Sequence, residues 1–245
     1  MAGHSHSANV RRRKEAVGAK RGKVFSKLAR AIIVAARDGG GDPVSNLALK
    51  YAVDRAKAVS MPKDNIERAI KKGTGELDGG ALETCIYEAI GPGGVLILIE
   101  GLTDNRNRTA PEIRTILERK NAHLGSVAWA FEQKGVIYVP ADAVTEDALM
   151  EKALEAGAED MERVGDRFIV TTLPSELDSV RRALADASIA IEDAELSMEP
   201  RTTVAVDEES ARKTLSLFDE LNDHDDVQNV YSNLDAPEAL LAETQ

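Results

Sequence analysis

The sequence predicts an α+β chain of three domains: an N-terminal helical bundle followed by two α/β-sandwich-like domains, one inserted in the other. Three observations carry that expectation. Apolar residues recur at helical spacing as far as Gly75 and at strand spacing for much of the chain beyond it. A complete helix–hairpin–helix–strand pattern runs from Pro140 to Glu199, after which strand and helix signals resume. Charge divides the chain in the same place. Residues 1–75 hold 17 Lys and Arg against 6 Asp and Glu, a net of +11, whereas the remaining residues hold 14 against 36, a net of −22. The expected divisions are 1–79 for a basic helical domain, 80–139 with 200–245 for a discontinuous α+β domain, and 140–199 for an acidic inserted one.

A basic module on an acidic body points to a polyanionic partner, with nucleic acid the first candidate. Aromatic residues make up only 4% of the chain, so platforms that stack on bases must be sparse. The single cysteine, Cys85, excludes an intrachain disulfide and a cysteine-based zinc site, and suits a reducing cytoplasm. No apolar run reaches the ~18 residues of a membrane span, and the N-terminus lacks the apolar stretch of a secretory signal.

The N-terminal module opens with an arm carrying Arg11, Arg12, Arg13 and Lys14, followed by Lys20, Arg21 and Lys23. This is either a solvated tail or a segment that orders along phosphates, and the continuation of the same charge into the helices favours the second. Val24, Phe25, Leu28, Ile32 and Ala35 predict a helix over 22–38, with Lys23, Lys27, Arg30 and Arg37 mostly outside and Gly39 as its stop. After Gly40-Gly41-Asp42-Pro43, Ser45 is the expected cap of a second helix reaching about Ala58. Its buried stripe is expected at Leu47, Ala48, Tyr51 and Ala52. Pro62 marks the first turn of a third helix, with Ile66, Ala69 and Ile70 inward, a Glu67–Lys71 pair, and Lys71 and Lys72 in the last turn. The tight second connection resembles a helix-turn-helix, in which Lys63, Asn65, Arg68 and Lys72 would be offered to bases. The alternative, which we favour, is phosphate contact without base readout.

In the body, residues 84–90 and 95–100 predict a hairpin across Gly91-Pro92-Gly93-Gly94. A phosphate loop is excluded there, because Pro92 removes a donor and no Gly-Lys-Ser/Thr follows. Thr109-Ala110-Pro111-Glu112 reads as a capping box, which places Arg106 and Arg108 just before a helix start. There they can hold an anion, or they can satisfy neighbouring Asp and Asn groups and the backbone. Residues 125–139 predict further strand with Trp129 and Phe131 in the core. In the inserted unit, helices are expected at 145–156 and 175–187 and strands at 159–164, 167–172 and 189–196. A strand at 202–206, a helix over 207–222 and a strand over 227–233 are expected to complete the first sheet, with a frayed tail from Asp235.

No catalytic constellation is present, and we expect neither an enzyme nor a cofactor. If Met1 is removed, Ala2-Gly3-His4 could wrap Cu(II), as any chain with histidine third can. His123 and His224 stand alone, so no metal site is expected.

Several strings in this order resemble the YebC/PmpR family, usually described as transcriptional regulators. They are Met1-Ala2-Gly3-His4-Ser5, Ala19-Lys20-Arg21-Gly22-Lys23, Gly39-Gly40-Gly41-Asp42-Pro43, MPKDNIERAIKKGTGE from Met61, Gly91-Pro92-Gly93-Gly94-Val95, and TDNRNRT from Thr103. The resemblance covers essentially the whole chain. It implies a cytoplasmic, non-catalytic protein of three domains, one helical and two α+β. It implies either a DNA-binding regulator acting mainly through the N-terminal domain or a translation factor that binds ribosomal or transfer RNA at the ribosome. His6-Ser7 stands where the family usually has Lys-Trp, so the arm works by charge. Residues 120–126 are shorter than the usual glycine-rich stretch. The nucleic-acid contacts expected are Arg11, Arg12, Arg13, Lys14, Lys20, Arg21, Lys23, Lys27, Lys63, Arg68, Lys71, Lys72, Arg106 and Arg108. No membrane partner is expected, and nothing in the sequence specifies an oligomeric state.

Overall fold

Helices lead and two antiparallel four-stranded sheets follow, so the molecule is α+β in the predicted order. The computed structural model describes residues 21–78, 82–236 and 240. The arm residues Arg11, Arg12, Arg13, Lys14 and Lys20, the Ala2-Gly3-His4 group and His6-Ser7 lie outside them.

Helices α1 (Arg21–Gly39), α2 (Leu47–Ala58) and α3 (Lys63–Gly73) close around Ile32, Leu49, Val53, Met61, Ile66 and Ala69. The stop of α1 is Gly40 rather than Gly39. Gly40 takes the left-handed φ of 85° that glycine adopts freely, and its N–H bonds Ala36 O at 2.9 Å. The cap of α2 is Asn46 rather than Ser45. The Asn46 Oδ1 accepts from Leu49 N at 3.1 Å while its Nδ2 donates to Ala35 O and Gly40 O at 2.7 and 2.8 Å. The amide accepts at one helix end while donating twice at the other, and a hydroxyl, with a single O–H, could make only one of those donations; Ser45 instead donates to Asp42 O. The buried stripe is therefore Leu49, Val53 and Ala56, with Leu47 and Ala48 exposed and Tyr51 and Ala52 half-buried. In α3, Ile66 and Ala69 are buried and Ile70 half-buried. Glu67 pairs with Lys63 at 3.4 Å, so the expected Glu67–Lys71 pair gives way to the preceding turn.

The first sheet has the order β3-β1-β2-β9, built from β1 (Glu83–Ile90), β2 (Leu96–Thr103), β3 (His123–Leu124) and β9 (Val227–Ser232). β1 and β2 form the expected hairpin. Gly93 and Gly94 adopt φ of 71° and 79° in its turn, and Gly91 N bonds Val95 O at 2.7 Å. Helices α4 (Arg106–Arg119) and α7 (Glu208–Asp223) cover one face, burying Ile97, Ile99, Ile113, Leu117, Leu215 and Phe218. The two-residue strand β8 (Val204–Ala205) does not complete this sheet. It pairs in parallel with β10 (Leu234–Asp235), so Asp235 is held in a strand rather than frayed.

The second sheet, β5-β6-β4-β7, comprises β4 (Phe131–Pro140), β5 (Ala158–Val164), β6 (Arg167–Thr172) and β7 (Asp193–Pro200). Helices α5 (Glu146–Glu155) and α6 (Leu177–Asp186) pack on it over Ile137, Val139, Leu149, Phe168 and Leu184. β4, which precedes the expected boundary at residue 139, pairs with strands that follow it. Its run Val136–Val139 is buried and needs hydrogen-bonded neighbours on both edges, which β6 and β7 supply. Residues 131–139 therefore belong with the inserted strands. The closing strand also begins at Asp193 rather than 189, because residues 189–192 are spent on the connection from α6.

Trp129 departs from expectation as well. It lies on a 3-10 turn before β4 and is 70% exposed, while Val127, Ala130 and Phe131 take the core positions around it.

Candidate nucleic-acid interface

Helix α3 presents its charge outward because the packing against α1 consumes its other face. Lys63, Arg68, Lys71 and Lys72 are all exposed, Lys63 to 87% of its side chain. Lys71 and Lys72 sit in the last turn, where the helix dipole favours cations. Among the described residues, Arg68, Lys71 and Lys72 have no ion-pair partner. Gly73 lets α3 approach this closely. A Cβ there would strike Ile33 O and the Ala36 methyl of α1.

The cations of α1 are placed differently. Lys23, Lys27 and Arg30 fall on one side of the helix, and that side meets the C-terminal end of α7. Lys23 Nζ contacts Asp223 O at 2.9 Å and its carboxylate at 3.0 Å. Lys27 Nζ donates to Asn222 O at 2.6 Å, and Arg30 Nη1 to Asp225 O at 2.5 Å. The last carbonyls of a helix lack intrahelical partners and carry its negative pole, so Lys23 and Lys27 are well matched there, with Arg30 on the loop just beyond. Burial, reinforced by the nearby charge of Lys23, still brings the Lys27 ammonium down to about 8 against the pull of Asp223 and Asp225.

Arg106 and Arg108 stand inside α4, not before it. The helix begins at Arg106 because Asn105, rather than Thr109, caps it, accepting from Arg108 N at 3.2 Å. Pro111 is thereby carried past the first turn. Arg106 bonds Glu83 at 2.9 Å and Thr84 O at 2.6 Å. Arg108 bonds Asp104 at 3.0 Å and Asp226 at 2.8 Å. Thr109, released from capping, donates to Asp226 at 2.6 Å.

Asp226 is the centre of this arrangement. It is 2% exposed and accepts from Arg30, Arg108, Thr103 and Thr109 at 2.7, 2.8, 3.0 and 2.6 Å. Burial opposes its ionisation, but bonds from Thr109, Arg108 and Thr103, with the charge of Arg30, outweigh it and hold the carboxyl at about 2. Sequence reasoning missed this hub. Periodicity gives Arg30 only as an outward charge, and nothing local separates Asp226 from its neighbours in Asp223-His224-Asp225-Asp226. The expected basic residues thus divide into an outward group on α3 and a group engaged within the molecule on α1 and α4. Arg21 opens α1.

A cleft of about 880 Å³ lies where the helices meet both sheets. Charges across it are mutually paired. Arg55 reaches Asp193 and Glu195 at 3.5 and 3.0 Å, and Arg167 reaches Glu192 at 3.1 Å. Tyr51 adds a bond to Asp178 at 3.3 Å, with Arg181 over its ring. Among the described residues no group of three or more His, Cys, Asp or Glu could hold a metal ion. His224 bonds Glu112 at 3.1 Å, and burial pushes the Cys85 thiol up. No helix among the described residues is long and apolar enough to cross a membrane.

Comparison with known proteins agrees along the chain. Residues 5–76 match the family described as the TACO1/YebC protein N-terminal domain, and residues 82–234 match the TACO1/YebC second and third domain. A "Probable transcriptional regulatory protein" of Rubrobacter xylanophilus is 54% identical over 99% of both chains. A relative of the same description from Desulfotalea psychrophila is 51% identical over 98% of both. The crystal structure of a conserved hypothetical protein from Aquifex aeolicus has a TM-score of 0.85 at 46% identity, covering 91% of this chain and 93% of that one. With family matches spanning the helices and both sheets, the chain belongs to the TACO1/YebC family.

Proposed function

We propose that this protein is a non-enzymatic regulator of transcription that binds DNA mainly through residues 1–79. Residues 80–130 with 200–245 then form its discontinuous body, and residues 131–199 the insert. The outward cationic face of α3 carries this reading: Lys63, Arg68, Lys71 and Lys72 are exposed on a chain whose net charge is −11. Such a face on an acidic protein favours a polyanion by concentrating the attraction where contact is made. The arm from Arg11 to Lys14, with Lys20 and Arg21, extends the same contact along phosphates. Regulatory function is supported at family level by the relatives' descriptions.

The test is binding of duplex DNA by anisotropy across a salt series. Reversing Lys63, Arg68, Lys71 and Lys72 to glutamate should abolish specific and non-specific binding alike. Unchanged affinity and salt dependence would sink the reading.

A second reading, a translation factor on ribosomal or transfer RNA, is favoured by one observation. Four of the six exposed charged groups of α3 are cations and two, Asp64 and Glu67, are acids, while Asn65 is half-buried, so the helix offers phosphate contacts and few neutral groups for reading bases. Crosslinking in growing cells separates the two. Discrete promoter peaks support the first; ribosomal RNA without promoter peaks supports the second.

A further inference from the structure

Trp129 is the one tryptophan of the chain and, at 70%, among its most exposed large side chains. Solvating an indole is unfavourable, and here the exposure is imposed by a rigid support rather than by a loose segment. The Glu88 carboxylate of β1 accepts from Val127 N and Ala128 N at 2.6 and 2.7 Å, and Glu88 O accepts from Gly125 N at 3.0 Å. Val127, Ala130 and Phe131 are sunk in an apolar cluster with Leu98 and Tyr231, which fixes the turn from below. The indole N–H is spent on Ser126 O at 3.1 Å. What remains available is the flat ring.

The surroundings say what that ring fits. Ser126 and Ala128, beside it in the chain, are exposed and small, so a planar group has access. Arg201 is held beside the turn by its own N–H on Ala130 O at 2.8 Å. Its side chain is 59% exposed and reaches Glu132 only at 3.7 Å. A protein anchor residue is normally ringed by apolar neighbours that exclude water; here the adjoining exposed residues Ser126 and Ala128 are small, and a cation, Arg201, is tethered to the same turn through its backbone. Stacking on an aromatic face with a basic side chain alongside is the arrangement used for unpaired bases.

We infer that Trp129 is a stacking platform for one unpaired base of a nucleic acid, with Arg201 placed to meet the adjoining phosphate. This rests on the reading of the protein as a nucleic-acid binder, and it places a single-stranded or splayed nucleotide at the first sheet, apart from the phosphate contacts of α3.

The full chain can report on the site directly, because Trp129 is its only indole. Fluorescence should be quenched saturably by a single-stranded oligonucleotide or by a hairpin with an unpaired overhang, and much less by a blunt duplex. Trp129→Ala should weaken binding of the single-stranded probe about tenfold, while Trp129→Phe stays within about threefold of the wild type because its ring still stacks. The residue is exposed, so thermal melting of both variants should match the wild type and separate lost contact from lost fold. Saturated anisotropy without quenching, or equal affinity of Trp129→Ala, would overturn the inference while leaving the α3 reading intact. Failure of the wild type to bind any probe would overturn both. Retention from a nuclease-treated extract that Trp129→Ala abolishes, with oligonucleotides silent, would overturn it in favour of a protein pocket.

Discussion

Arg30 and Asp226 lie 196 positions apart in the chain and meet at 2.7 Å. Asp226 also holds Arg108 and Thr109 at the start of α4, so one buried carboxylate joins the N-terminal helices to the first sheet and its covering helices. A buried charge is tolerated only when its partners are complete, and here four donors converge on two oxygens. Asp226 is therefore the buried member of the set of ties that hold α1 on the body, beside those of Lys23 and Lys27 to the end of α7.

Replacing Asp226 with Asn should show how firmly. The amide keeps the shape but offers one acceptor oxygen, and it aims an NH2 group at donors. Arg30 loses its counter-charge in the same step, and Arg108 keeps only the exposed Asp104. We expect a loss of about 3 kcal/mol of stability, the range for a buried pair stripped of one partner. Urea unfolding of the variant and the wild type measures it, and a loss below about 1 kcal/mol would mean that water replaces the carboxylate.

The same residue sets a pH dependence. Its folded value of about 2 lies below the ordinary 3.8, so the folded state favours the ionised form. The resulting stability is fully present above about pH 4 and is lost as pH falls towards 2, amounting to about 2 kcal/mol. Other carboxylates titrate in this window too. The decisive quantity is the difference between the wild type and Asp226→Asn, which should shrink as pH falls from 5 to 2.5. A constant difference would contradict the assignment of the low value to Asp226.

Much of the scaffold was legible in the sequence because it obeys local rules. Helical and alternating apolar periods located nearly every element, and the Gly91–Gly94 turn and the helix–hairpin–helix–strand unit formed as expected. Most of the misreadings share a cause: they concern a group whose partner is distant or shared. Asn46 displaced Ser45 as a cap because it also serves the end of α1. Thr109 left its capping box because Asp226, far along the chain, takes its hydroxyl. β4 changed sheets because strand pairing is a non-local choice that hydrophobicity alone does not make. Trp129 turned outward because its N–H found a carbonyl three residues back. For the candidate interface, sequence located the cations, but could not say which of them the molecule itself engages.

Gly73 offers a test of the helical unit itself. Its Cα lies against α1 so closely that a methyl group would overlap Ile33 O and Ala36 Cβ and come within 3.2 Å of Arg37 N. Two of those obstacles are backbone atoms, which cannot swing aside as a flexible side chain can. Although alanine is the better helix former, Gly73→Ala should cost about 1–3 kcal/mol by overpacking. The same substitution at the open Gly75, where no atom lies within 4 Å, should leave the packing of α1 against α3 undisturbed, with only the strain of φ 81° to bear. Thermal unfolding with the α3 variant no less stable than the wild type would show that α1 and α3 separate readily, and would weaken the case for a fixed cationic face.

The last prediction separates the two groups of basic residues. Lys27 is committed to Asn222 O at the end of α7, whereas Lys72 faces solvent in the last turn of α3. If phosphates are met by α3 as α1 stays docked, the two lysines should differ in kind. Lys72→Gln should reduce the dependence of log affinity on log salt by about one and leave unfolding unchanged. Lys27→Gln should do the reverse, keeping the salt slope and lowering stability by about 1 kcal/mol through loss of the hydrogen bond to Asn222 O. Both variants keep a polar side chain of similar reach, so packing changes little. A salt slope that falls for Lys27→Gln would show that α1 leaves α7 when nucleic acid binds, making the α7 end a competitor for the same cations.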